Sequence, residues 1–146
     1  MRIASEGRQG PGRLVAALAA AAALALAATG CGVFGESVPA SPGSFSACMS
    51  ETGYSSSTDP EDVDPIARAA GVGAVLADID GNRVTVVFES SDDDARRAVA
   101  AYEARSQTAA APLEDVLRHE GPIVVVWEAP PSEAQRSAVE RCLSAR

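Results

Sequence analysis

The sequence predicts an α+β fold, a two-layer sandwich in which an antiparallel sheet of three or four strands carries helices mainly on one face. Three observations carry that prediction. Val75 to Phe88 alternates apolar and polar residues on either side of a Gly81-Asn82 pair, the pattern of a β-hairpin. Ile123 to Trp127 is an apolar, β-branched run set off by Gly121-Pro122. Ser91 and Ser132 each stand before an amphipathic stretch, with Asp94 or Gln135 placed at N3 to answer the cap, so each opens a helix.

In chain order, the first helix is expected over residues 44–52, where Phe45, Cys48 and Met49 fall at i, i+3 and i+4 and Gly53 stops the turn. Residues 54–61 read as a loop. Asp64 then caps a short helix over 65–70, with Pro65 at its first position. In the hairpin, a Gly81-Asn82 turn pairs Asp80 with Arg83, Ile79 with Val84, Ala77 with Val86 and Val75 with Phe88. A turn at Asp80-Gly81 shifts the pairing by two residues and keeps the same face inward. The next helix, about 15 residues long from Asp92, buries Ala95, Ala98, Val99 and Tyr102, and its three leading acids favour the positive end of the helix dipole. A loop covers 107–112. Residues 113–120 suit either a helical turn, through Leu113, Val116 and Leu117, or a strand near 116–119 that completes a second hairpin. The last helix follows Pro130-Pro131-Ser132 and aligns Ala134, Ala138, Val139, Cys142 and Leu143 on one stripe. The arrangement resembles ferredoxin-like folds by analogy, which implies architecture and no activity.

The sheet carries an oddity. Leu76, Val87, Val124 and Val126 lie on the face opposite Ile79, Val86, Val125 and Trp127, whereas the open face of an antiparallel sheet is usually polar. Either the N-terminal helix, stapled through Cys48, covers these four residues, or they form an interaction surface for a partner.

Ahead of the domain, residues 1–13 carry Arg2, Arg8 and Arg13 against Glu6, and an apolar run follows from Leu14 to Ala28. Basic, then apolar, then small is the pattern of an export signal. The run spans about 22 Å as a helix, short of the roughly 20 residues a stable bilayer span needs. No Arg-Arg pair precedes it, which points to the general secretory route. The run ends Leu26-Ala-Ala-Thr-Gly-Cys31, and this segment resembles the lipobox of bacterial lipoproteins, with Thr29, Gly30 and Cys31 matching and Ala28 where Leu is preferred. The resemblance implies cleavage before Cys31, diacylglycerol on its thiol, fatty acyl chains such as palmitate, and an address on the extracytoplasmic face of the cell membrane. The expected organisation is a signal peptide over 1–30, a lipidated cysteine and flexible tether over 31–43, and one small α+β domain over 44–146. The tether reaches about 40 Å at full stretch and nearer 20 Å on average.

Lipidation of Cys31 leaves Cys48 and Cys142 as an even pair in an oxidising compartment, and a disulfide between them is the economical reading. It closes a loop of about 95 residues, for which the chain-entropy model gives on the order of 4–5 kcal/mol.

The chain has 12 basic residues, all Arg, against 20 acidic ones, a formal charge of −8. Removing Arg2, Arg8, Arg13 and Glu6 with the signal leaves nine against nineteen, a formal −10. Nucleic acid is not an expected partner at that charge, and anionic headgroups repel the domain that the acyl chains hold.

Little in the sequence points to catalysis. His119 is the one histidine, read as a surface residue in a turn; a His-rich metal site is excluded, and no Gly-x-Ser-x-Gly elbow supplies a triad. Neither a P-loop nor a dinucleotide fingerprint is present. Asp78, Asp80 and Asn82 alternate around Gly81, but the glycine is misplaced for a calcium loop and no closing Glu follows. The run Asp59, Glu61, Asp62, Asp64 reads as a solvated acidic loop, with weak divalent-cation binding the alternative. Trp127 ends a buried strand, a core or interface position, with sugar stacking the sharper alternative.

The function expected is therefore a non-catalytic, membrane-anchored binding or scaffolding module of the cell envelope, with no enzyme activity, no metal and no cofactor. One alternative is a small ligand-binding accessory subunit of a transporter or wall-processing enzyme. Another is a self-associating module, a homodimer formed by packing sheet faces.

Overall fold

A computed structural model of the chain describes residues 40–106 and 112–145. Residues 1–39, 107–111 and 146, among them the expected export signal, Cys31 and most of the expected tether, lie outside the described residues. Within them the elements run α1 (Pro42–Glu51), β1 (Ser55–Ser57), α2 (Pro65–Arg68), β2 (Gly73–Ile79), β3 (Asn82–Phe88), α3 (Asp92–Ser106), a 3-10 turn (Leu113–Asp115), β4 (Leu117–Glu120), β5 (Ile123–Trp127) and α4 (Glu133–Ser144). The α+β class stands. No helix among the described residues is long and apolar enough to cross a membrane.

The described strands form one antiparallel sheet in the order β1-β2-β3-β5-β4. That is five strands rather than three or four. The added one is β1, inside the segment expected to be a loop: Ser55, Ser56 and Ser57 pair with Asp78, Ala77 and Leu76. A serine run at a sheet edge shows no apolar alternation; on the face that α1 covers, the hydroxyls of Ser46 and Ser56 meet by a hydrogen bond at 2.8 Å instead of apolar packing.

Nor are the helices mainly on one face. One core cluster joins Phe45 and Met49 of α1 and Ala138, Val139 and Cys142 of α4 to Val75, Ala77, Ile79, Val84, Val86 and Trp127. A second, on the opposite face, joins Val63, Ala67 of α2 and Ala95, Ala98 and Tyr102 of α3 to Ala74, Val87 and Val124. The sheet is thus sandwiched between α1 and α4 on one side and α2 and α3 on the other. The second apolar face is covered by α2 and α3, not by the N-terminal helix. A four-residue α2 signals little in sequence, but alanines at Ala95 and Ala98 let α3 approach the sheet closely.

The hairpin turns at Asp80-Gly81, so Ile79 pairs with Asn82, Ala77 with Val84 and Val75 with Val86, two residues away from the register expected for a Gly81-Asn82 turn. Both central residues have positive φ, 53° for Asp80 and 81° for Gly81, as the turn that matches strand twist requires. Asp and Gly tolerate that conformation, and the Gly81 N–H donates to Asp78 Oδ1 at 2.9 Å. The charged pair beside the turn is therefore Asp78 with Arg83.

Helix boundaries follow their caps. α1 begins two residues earlier than its apolar spacing implies, because Ser41 is the N-cap: its hydroxyl accepts from Ser44 N–H, and the Ser44 hydroxyl accepts from Ser41 N–H. Residues 40–43 thus belong to the fold rather than to the tether. Asp64 accepts from the backbone of Ile66 and Ala67. Ser91 accepts from Asp94 N–H at 3.1 Å and its hydroxyl donates to the Asp94 carboxylate at 2.6 Å. Ser132 and Gln135 form the reciprocal capping box of α4. Residues 113–120 satisfy both readings in turn, one 3-10 turn and then a strand. Ala134 is exposed, one turn too early on α4 to reach the sheet.

Candidate functional site

The Cα atoms of Cys48 and Cys142 stand 5.5 Å apart and their sulfurs are at disulfide distance. The link draws α4 toward α1, which packs over β1 and β2, and so leaves the far edge of the sheet on that side without a helix. A cleft of about 700 Å³ results between α4 and the β4–β5 hairpin. Its floor is Ile123, Val125 and Trp127, and its helical wall is Val139 and Leu143. Arg118 and Glu120 from β4 and Arg136 and Glu140 from α4 rim it. Trp127 is only 4% exposed, so the indole supports the floor more than it offers a stacking surface. Arg136 is held by one bond, from Nη2 to the Pro131 carbonyl at 3.1 Å, and its buried Nε has no acceptor in the described structure.

A second hollow of about 640 Å³ lies on the opposite face beside the C-terminal turn of α3, over Leu76, Thr85 and Val126. Arg83 and Glu128 border it through a two-pronged ion pair, Nε to Oε2 at 2.8 Å and Nη2 to Oε1 at 3.2 Å. Each partner favours the charged form of the other: Glu128 holds the Arg83 guanidinium above its ordinary value, and Arg83 holds the Glu128 carboxyl below its own. On the other border Tyr102 donates to Asp64 Oδ2 at 2.7 Å, and Arg105 stands 3.7 Å from Asp64 Oδ1.

Of the four residues expected to form one interaction surface, Val87 and Val124 are 0% exposed beneath α3, and only Leu76 and Val126 remain half-buried in the hollow. Burial of the central pair removes a continuous apolar patch, so the four no longer form one accessible surface. His119 sits on β4 rather than in a turn, with Nε2 3.1 Å from Asp92 Oδ1 at the start of α3. Among the described residues no hydroxyl or thiol hydrogen-bonds to its ring.

The acidic residues are engaged locally. Asp59 accepts from Glu61 N–H, Asp62 from the Ser57 hydroxyl, and Asp64 from both α2 and Tyr102. Asp92 and Asp93 pair with Arg96, and Asp94 with Arg97. Among the described residues no group of three His, Cys, Asp or Glu side chains is arranged to hold a metal ion.

Sequence reasoning placed Asn82 in the hairpin turn and missed its role as a clamp. Its amide donates to the Ala129 carbonyl at 3.0 Å and accepts from Ala129 N–H at 3.2 Å, and Gln135 Nε2 donates to the Ile79 carbonyl at 2.8 Å. These bonds clamp the hairpin tip to the entry of α4 and so fix the angle of the cleft wall. The rim was equally hidden, since Arg118 and Arg136 are 18 residues apart and meet at one opening only through the strand order together with the link and clamp that seat α4. Comparison with protein-family models, with curated proteins and with solved structures finds no match for this chain.

Proposed function

We propose that the mature chain is a lipid-anchored, non-catalytic module on the extracytoplasmic face of the cell membrane that binds or scaffolds another envelope component through the α4/β4–β5 cleft. The observation that supports a binding role is the cleft itself: an apolar floor rimmed by side chains of both signs, on the face where two helices leave the sheet edge bare. Apolar floors with a few placed polar groups are the usual composition of recognition sites. The segment Thr29-Gly30-Cys31 supports the anchor through its likeness to a lipobox.

The test has two arms in the producing cell. An alkyne-bearing palmitate labels the chain and the label disappears in Cys31→Ser; persistent label, or an intact initiator methionine in the native product, overturns the anchor. A photo-reactive residue at Leu143 gives a defined adduct that Val125→Glu suppresses. Turnover of a hydrolase substrate by the purified chain, lost in His119→Ala, overturns the non-catalytic role.

A second reading, a small-ligand accessory subunit, draws on the same opening, because Arg118 and Arg136 both border it. Saturable uptake of a carboxylate ligand by the purified chain, lost in Arg136→Ala, favours that reading.

A further inference from the structure

We propose that the free edge of β4 pairs antiparallel with the β4 edge of a second copy of this chain, with His119 facing His119 of the partner subunit on the two-fold axis. Arg118 and Glu120 also rim the cleft; the pairing uses the backbone edge of β4 and is read out by crosslinking between copies, whatever the cleft binds.

β4 is the last strand of the sheet, and its outer edge has no neighbour among the described residues. The Trp127 N–H donates to the Val116 carbonyl at 2.8 Å, which marks 116 and 127 as a hydrogen-bonded pair of the β4–β5 ladder. Hydrogen-bonded and non-bonded pairs alternate in an antiparallel ladder. Arg118 and Glu120, opposite Val125 and Ile123, therefore turn their backbone groups inward to β5. Leu117 and His119 turn theirs outward. A two-fold axis at His119 thus meets a residue whose N–H and C=O have no partner among the described residues and point toward their symmetry mates.

The charges select the same axis. Centred on residue 119, Arg118 of each copy lies opposite Glu120 of the other, giving two opposite-charge pairs. Both fall at non-hydrogen-bonded sites, where Cα atoms come within about 4.5 Å and side chains approach most closely. An axis at 118 or at 120 sets like charges against each other, and so does parallel pairing in register. Charged residues on an edge strand normally discourage pairing; here they favour the axis at 119 over axes at 118 and 120 and over in-register parallel pairing.

The two-fold runs perpendicular to the sheet, so faces are preserved: the two clefts meet on one side above a continuous floor, walled by α4 and its mate. The contact is short, since β4 has only four residues, which places it among weak interfaces. Anchoring of both copies to one membrane, which rests on the proposed function, raises the local concentration of such a pair.

The test uses full-length chains carrying two different C-terminal tags, co-expressed in the producing cell, with His119→p-benzoylphenylalanine for photocrosslinking. Tagged hetero-pairs crosslink with the wild-type edge. Arg118→Glu alone and Glu120→Arg alone each lower the yield about tenfold, because each turns both pairs repulsive. The double variant restores it, and so does co-expression of the two single variants, in which every pair is again of opposite sign. That mixed rescue also shows that each single variant folds. Equal yields from all forms, or loss in the single variants without mixed rescue, overturn the proposal.

Discussion

The hydroxyl of Tyr102 donates to Oδ2 of Asp64 across 2.7 Å, and this bond ties α3 to the N-cap of α2. Both helices sit on the sheet face that sequence alone left open. The residue is 6% exposed, and burial, together with the hydrogen bond and the charge of Asp64, pushes the Tyr102 phenol well above its ordinary range. The folded-state value being raised, its contribution is complete below about pH 10, the unfolded value, and declines as pH climbs past that point. Tyr102→Phe abolishes this alkaline decline and costs on the order of 1–2 kcal/mol at pH 7 through the lost bond. Urea unfolding at pH 7, 9 and 10.5 checks it; an unchanged alkaline slope in the variant refutes the assignment.

Breaking the covalent link between the first and last helices has the largest effect. Cys48 and Cys142 are 94 residues apart in sequence, and removing the link costs on the order of 4–5 kcal/mol in the chain-entropy model. Against the 5–15 kcal/mol typical of a domain, reduction leaves little margin at 37 °C. Urea midpoints with and without dithiothreitol measure the cost, and equal midpoints would count against the disulfide.

Asn82→Ala removes both bonds to Ala129 and the contact with Gln135 Oε1 at 3.3 Å. The expected loss is about 1–3 kcal/mol. It also frees the α4 entry, so amide exchange at residues 133–136 accelerates more than exchange in β2. Uniform acceleration across the domain would show that Asn82 contributes only global stability.

Gly81→Val forces a β-branched residue to φ +81° at a position with open space around it, so the penalty is conformational rather than steric crowding. It amounts to roughly 1–3 kcal/mol. Asp80→Asn, at φ 53°, is tolerated, since Asn accepts the left-handed region. Thermal melts of the two variants separate the effects, and a similar Tm for both would argue against the Asp80-Gly81 turn.

Local signals were legible where one physical cause dominated. Ser91 and Ser132 announced their helices because a hydroxyl before an apolar stripe with a partner at N3 has few other uses. Ile123–Trp127 was plain from its unbroken apolarity, and Cys48 with Cys142 from parity. What stayed hidden depended on contacts distant in sequence. β1 is three serines whose only strand-like property is the neighbour they pair with. Val87 and Val124 were correctly assigned to a second face, but what seals them is a four-residue helix and two alanines, residues with no loud periodicity. The hairpin register turned on two positive φ values that Asp-Gly and Gly-Asn both permit locally. The cleft rim comes from β4 and α4, brought together by strand order, the Cys48–Cys142 link and the Asn82 clamp, all contacts distant in sequence.

The sulfur link has a mechanical consequence. Ala40 borders the same cleft as Ser144 and Ala145, so the two ends of the described fold emerge side by side. Tension drawn through residue 40 enters α1, crosses to α4 at Cys48–Cys142, and is shared by two helices before any strand is peeled away. A chemically reduced molecule offers α1 alone to the load and yields at lower force.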